Sequence, residues 1–189
     1  MAKFMLLGGS PRKHGNTEKM LDIFQKAMAE QLPGVEFERY FLEEMHIQMC
    51  RACLTCFKTG ACVFQDKVNE MVASLEKCDG LILASPVYYG SMTAQLKAVL
   101  DRIGLIAEAH DRSLRGKIGG SITVARRWGH LATQAELMLW FDRVEMVHVG
   151  CGWCSATSTN ANNIDTDDEG LHYPVRLAEN IAKLLRYRN

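Results

Sequence analysis

Residues 3–17 read KFMLLGGSPRKHGNT. Lys3 to Leu7 is a short apolar run of strand type, and the residues after it are small or polar until a new period begins. From Thr17 to Gln31 the apolar residues Met20, Phe24, Ala27 and Met28 recur at helical spacing, with Glu18, Lys19, Asp22 and Lys26 on the other face. Pro33-Gly34 then stops the helix. A strand, a glycine-bearing loop and a helix, in that order, open a β-α unit.

The alternation continues outward from this stretch. Strands are expected at Val35–Tyr40, Gly80–Ala84, Lys117–Ala125 and Val144–Val149, and the Gly80 run is so uniformly apolar that both of its faces should be covered. Helices are expected after Asp66 (apolar face Val68, Met71, Val72, Leu75), over Thr93–Ile103, over Gly129–Phe141 and over His172–Arg186, with a polar loop at Ser155–Asp168. Five strands alternating with helices predict an α/β fold with a doubly wound parallel sheet. Ligands of such sheets sit beyond the carboxyl ends of the strands, where the strand order reverses. With no repeat or linker in view, residues 1–189 read as one domain with a cysteine-bearing insertion at about 48–65.

Lys plus Arg and Asp plus Glu both number 22, so the net field gives no reason to expect nucleic acid or a membrane surface as partner. No apolar run is long enough to span a bilayer, and Met1–Lys13 does not resemble a secretory signal, so a cytoplasmic location is expected. In that compartment seven cysteines do not imply a disulfide framework.

Two stretches carry chemistry. In the first, small residues let the backbone of Gly9–Thr17 approach an anion at a helix N-terminus. Ser10 and Thr17 add hydroxyls, Arg12 or Lys13 adds charge, and His14 is a further phosphate contact to consider. The stretch matches neither GxGxxG nor GxxxxGK[ST]. An ordinary turn capped by Asn16 or Thr17 is the plain alternative. In the second, Cys50, Cys53, Cys56 and Cys62 form a CxxCxxCx5C array, whose bunched first three favour a [4Fe–4S] cluster over zinc. A metal-free group of packed or redox-active thiols is the alternative there.

The segments MLLGGSPRKHGNT (5–17) and SPVYYGSMTAQLKAVLDR (85–102), with the cysteine array between them, resemble NADPH-dependent FMN reductase-like proteins and iron–sulfur flavoproteins. That resemblance implies a flavodoxin-like fold. It implies FMN with its phosphate held by Ser10, Arg12, Asn16 and Thr17, and its ribityl chain and ring against Pro86, Val87, Tyr88, Tyr89, Gly90 and Ser91. It implies Cys50, Cys53, Cys56 and Cys62 as ligands of one cluster, NAD(P)H as a donor, and a homodimer or homotetramer. The leading expectation is an FMN-dependent oxidoreductase passing electrons from NAD(P)H or a reduced protein to a quinone, flavin or protein acceptor. A non-catalytic electron carrier and a ligand-responsive interaction protein are the alternatives.

Two signals are left open. Cys151-Gly-Trp-Cys154 reads either as a redox dithiol or as packing. Arg126, Arg127, Trp128 and His130 read either as ligand contacts or as a solvated turn. No HExxH or GxSxG motif supports metal-dependent or serine hydrolysis.

Overall fold

The computed structural model describes residues 1–158 and 163–188. Its strands are β1 (Lys3–Gly8), β2 (Glu36–Phe41), β3 (Gly80–Pro86), β4 (Ile118–Ala125), β5 (Val147–His148) and β6 (Ser155–Thr157). They form one parallel sheet in the order β2-β1-β3-β4-β5, with β6 also paired to β4. The helices are α1 (Asn16–Gln31), α2 (Cys56–Thr59), α3 (Val68–Leu75), α4 (Ala94–Ala109), α5 (His130–Arg143) and α6 (Asp168–Arg188).

Period-two alternation sorts the strand side chains between two cores. Met5, Leu7, Leu81 and Leu83 pack with α3, α4 and α5, whereas Phe4, Leu6, Ile82 and Ala84 pack with α1 and α6. All four residues of β1 named here are fully buried. At about 1.5–3 kcal/mol for each buried large apolar side chain, that one strand binds the two layers together. Every residue of β4 is buried as well. Gly119, which interrupts the apolar run in the sequence, lies against α5: a Cβ there would sit 2.5 Å from the Phe141 ring.

The expected doubly wound sheet is present, and its far edge differs from expectation. In place of one strand over Val144–Val149 there are two short ones, β5 and β6, with residues 149–154 bulging between them. Glu145 at φ 59° and Gly152 at φ 90° turn the backbone away from extended geometry, and the Cys151 and Cys154 side chains take buried positions. The expected loop at Ser155–Asp168 therefore begins as strand, and its residues 159–162 lie outside the described residues. Helix α6 starts at Asp168 rather than His172 because the Asp167 carboxylate accepts from the Gly170 amide at 2.9 Å, which caps it. It also continues through Pro174. Helix α4 runs to Ala109 instead of Ile103, since Ile106 and Ala107 are still buried.

Candidate functional site

β1 lies between β2 and β3, so the chain reverses direction across the sheet between β1 and β3. The loops following these two strands meet at their carboxyl ends, as the sequence predicts for a ligand crevice. Gly9 donates its amide to Ala84 O on β3 at 2.7 Å, and Thr93 Oγ1 donates to Gly9 O at 2.7 Å. Thr93 is 2% exposed and also caps α4 by accepting from the Leu96 amide at 3.3 Å. One hydroxyl thereby ties the first loop to the start of α4.

Beyond this anchor the loop has the features of an anion cradle. Ser10 is buried, and its Oγ accepts from the Arg12 amide at 3.1 Å. Arg12 extends into solvent, His14 adopts φ 51°, and Thr17 is buried in the first turn of α1. The Asn16 Oδ1 is buried without a hydrogen-bond partner. A buried polar atom left unsatisfied costs about 1–3 kcal/mol. With the free amides of a helix N-terminus beside it, this position calls for a polar ligand. Lys13 is engaged elsewhere, in an ion pair with Glu44.

The second loop is a tight turn in which the Tyr88 amide donates to Ser91 O at 2.9 Å and the Ser91 amide to Tyr88 O at 3.1 Å. Tyr89 and Gly90, at its corner, both have positive φ (51° and 81°). For a tyrosine that conformation is strained, and strain of this kind accumulates where a ligand is gripped. The Tyr89 side chain is fully exposed. The turn is held from below, where Ser91 Oγ donates to Glu136 Oε2 on α5 at 2.8 Å and the Met92 amide reaches the same oxygen at 3.2 Å.

A third loop, after β4, closes against this turn. A Cβ on Gly129 would lie 2.8 Å from the Gly90 Cα, so only glycine lets the two backbones approach so closely. Trp128 lies beside Gly90 and is 67% exposed. Tyr88, Tyr89 and Trp128 thus form an exposed aromatic rim next to the polar first loop. That pairing of an anion cradle with aromatic faces suits a phosphorylated planar ring system. The residues present fit FMN.

The cysteine array lies between β2 and α3. Cys50, Cys53, Cys56 and Cys62 all border one cavity, together with Phe64, Arg102 and Ile106. Ala52 and Leu54 adopt φ 53° and 54°, which folds the CxxCxxC segment around it. Hydrogen bonds from Thr55 and the nearby Arg51 bring the exposed Cys53 thiol down to about 7, whereas burial pushes Cys56 up. Among the described residues, no three Cys, His, Asp or Glu side chains converge closely enough, as placed, to hold an ion. Four soft sulfur donors on one cavity nonetheless match the donor set of an iron–sulfur centre.

With this geometry the comparison with known proteins is informative. The sequence profile of the NADPH-dependent FMN reductase family matches residues 2–161. The chain belongs to that family. Within it, an iron–sulfur flavoprotein of Methanocaldococcus jannaschii is 30% identical over 97% of each chain. An iron–sulfur flavoprotein of Archaeoglobus fulgidus is 43% identical over 116 residues, which cover 61% of this chain and about half (51%) of the relative. Among solved structures, RosB with bound 8-demethyl-8-formylriboflavin-5′-phosphate superposes with a TM-score of 0.77 at 15% identity, covering 99% of this chain and 80% of RosB. A WrbA-like flavodoxin from Agrobacterium tumefaciens superposes over the full length of both chains with a TM-score of 0.65 at 16% identity. At such identities these two establish the flavodoxin-like fold alone.

The FMN reductase fold thus gathers the sequence-predicted residues into two groups. Ser10, Arg12, Asn16 and Thr17 lie in the loop and first helical turn after β1 and Pro86–Ser91 in the loop after β3, the two segments being tied through Gly9, Ala84 and Thr93, and the four clustered cysteines form a second group against α4. Helix α1 begins at Asn16 with Gly15 in the cap position, so neither Asn16 nor Thr17 serves as the cap. Thr93, Glu136, Gly129 and Arg102 were missed. Thr93 and Arg102 stand within the block SPVYYGSMTAQLKAVLDR, where an arginine beside Val99, Leu100 and Ile103 is out of place on an apolar face. That oddity was the available signal. Among the described residues, no helix is long and apolar enough to cross a membrane.

Proposed function

We propose that this member of the FMN reductase family binds FMN at the loops after β1, β3 and β4 and a [4Fe–4S] cluster at Cys50, Cys53, Cys56 and Cys62. In this reading it passes electrons from NAD(P)H or a reduced protein donor to a quinone, flavin or protein acceptor. The observation that carries the proposal is the cavity shared by all four cysteines of a single run, in a chain whose flavin-type loops are also assembled. Both relatives above are iron–sulfur flavoproteins, which supports the same reading.

The chain's own residues divide the work. Ser10, Arg12, Asn16, Thr17 and the start of α1 hold the phosphate. The Tyr88–Ser91 turn and Trp128 cover the ring and keep water from it. Ser91, tied to Glu136, holds the turn in place. FMN supplies two-electron chemistry that can be released one electron at a time, and an iron–sulfur centre exchanges single electrons. The four thiols must lose their protons to bind metal, and Cys53, brought down to about 7, is partly deprotonated at neutral pH. Exposed Leu131, Met138 and Leu139 on α5 supply an apolar surface for the homodimer or homotetramer that forms part of this proposal.

The test is anaerobic purification followed by quantitation of FMN, iron and acid-labile sulfide, then addition of NADH or NADPH. About four irons and four sulfides per chain with one FMN support the reading. FMN without iron after reconstitution with iron and sulfide would remove the cluster. Failure of both nucleotides to bleach the flavin would leave a protein donor as the source of electrons.

A further inference from the structure

Arg102, 1% exposed, is the largest fully buried side chain among the described residues. Its Nη1 donates to Asp66 Oδ2 at 2.5 Å and to Gln48 O at 3.1 Å, and its Nη2 donates to Asp66 Oδ1 at 2.7 Å. The guanidinium is therefore fixed by a two-pronged carboxylate contact, and it also stands 5.3 Å from the centre of the Phe64 ring. One donor is left over: Nε is buried and has no partner. Burial opposes the positive charge, but the Asp66 carboxylate that grips the guanidinium more than compensates.

Stability alone explains this arrangement poorly. A buried ion pair is often no better than apolar residues of the same volume, and a buried donor without a partner costs about 1–3 kcal/mol. The residue borders the cavity of the four cysteines, where an anionic group would give that donor and that charge something to act on.

We propose that Arg102, fixed by Asp66, is the positioning residue that sets the charge balance of the cysteine cavity and raises the reduction potential of the iron–sulfur centre held there. This rests on the iron–sulfur reading above. Four thiolates carry more negative charge than the cluster core returns, so the centre is anionic when oxidised and more so by one charge when reduced. Reduction adds one electron, and no protein bond is made or broken. Arg102 lines the cavity and Asp66 does not, so the pair presents its positive end to the centre and stabilises the reduced form more than the oxidised one. Hydrogen bonds to the sulfurs and local charge are the levers by which proteins tune such centres. Arg51 borders the same cavity, but it is exposed and solvent screens it.

The experiment is a midpoint-potential titration of the reconstituted cluster, followed by electron paramagnetic resonance, on four proteins: wild type, D66N/R102Q, R102K and R51Q. The double variant removes charge and partner together, so no lone buried carboxylate remains to unfold the chain. R102K keeps the charge without the fork and serves if the double variant does not fold. We expect D66N/R102Q, which removes the cation lining the cavity together with the carboxylate that grips it, to lower the equilibrium constant for reduction about threefold, roughly 28 mV to more negative potential on a scale of about 59 mV per tenfold for one electron. R102K should shift by less in the same direction, and R51Q by least. Iron content equal to wild type with a coincident potential in D66N/R102Q would overturn the role of Arg102 and leave the cluster standing, as would, where only R102K folds, a potential more positive than wild type; coincidence in R102K alone supports the charge as the acting feature. A wild-type protein that takes up no iron and sulfide fails the iron–sulfur reading itself, and the role of Arg102 falls with it.

Discussion

Replacing Thr93 by valine keeps the shape of a side chain that is 2% exposed and deletes one hydroxyl. Two interactions go with it. The first is the cap of α4, through Leu96 N at 3.3 Å, for which a lost threonine cap costs about 1 kcal/mol. The second is the donor to Gly9 O at 2.7 Å, and an unpaired buried carbonyl costs about 1–3 kcal/mol. The sum is about 2–4 kcal/mol, and in a chain of 189 residues each kcal/mol moves the melting temperature by roughly 2–4 °C. Urea unfolding of the flavin-free protein should show the lower midpoint with an unchanged slope, and T93S should recover most of the loss. The anchor also positions the phosphate loop, so T93V should weaken FMN binding beyond what its stability loss explains, as read by flavin fluorescence. A stability loss below about 0.5 kcal/mol, or no recovery in T93S, would refute the idea that this hydroxyl holds the loop.

Three further predictions can be checked directly. Y89G relieves a positive φ at a fully exposed side chain, so the flavin-free protein should gain about 0.5–1 kcal/mol while FMN binds about three- to tenfold more weakly; unchanged affinity would show that the ring does not cover the flavin. In the metal-free protein at pH 7, iodoacetamide should modify Cys53 first, since it is exposed and titrates at about 7, ahead of the buried Cys78, Cys151 and Cys154; mass mapping that finds a buried cysteine reacting first would contradict the geometry. His110 is held above its usual 6.5 by its hydrogen bond to Glu76, and its other ring nitrogen lies 2.6 Å from Gly60 O at the end of α2. Because the folded value is raised, this tether is complete below about pH 6.5 and is lost as pH rises through the folded value. Amide exchange around residues 56–60 should therefore quicken above that range in wild type and show no such step in H110Q.

The layering of the fold was legible because parallel strands covered on both faces have few alternatives: Gly80–Ala84 is apolar throughout and forms most of β3, which lies between β1 and β4. The position of the first loop was legible for a similar reason, since small and polar residues interrupt the apolar strand before the helical period begins at Thr17. The split edge was not. β5 has two residues and β6 three, too short for any period to register, and the bulge between them is fixed by where Cys151 and Cys154 find burial. Arg102 and Asp66 are 36 positions apart, and Thr93 and Gly9 are 84 apart, so neither pairing leaves a local trace. The positive φ of Tyr89 was hidden because tyrosine gives no sign of it, unlike the Gly90 that follows.

Helix α4 carries Thr93 at its cap and Arg102 nine residues further on. At 1.5 Å of rise per residue, those positions are about 14 Å apart along the helix, whose inner face is buried. The flavin-type loops are fastened to one end of that helix and the cysteine cavity lies against its middle. Their spacing is therefore written in a residue count and does not depend on loop conformation. Inserting one residue between Val99 and Leu100 would advance the second site by about 1.5 Å and swing it by roughly 100° about the helix axis. Homologous chains that keep both sites should accordingly vary in their loops while leaving the number of residues between these two positions unchanged.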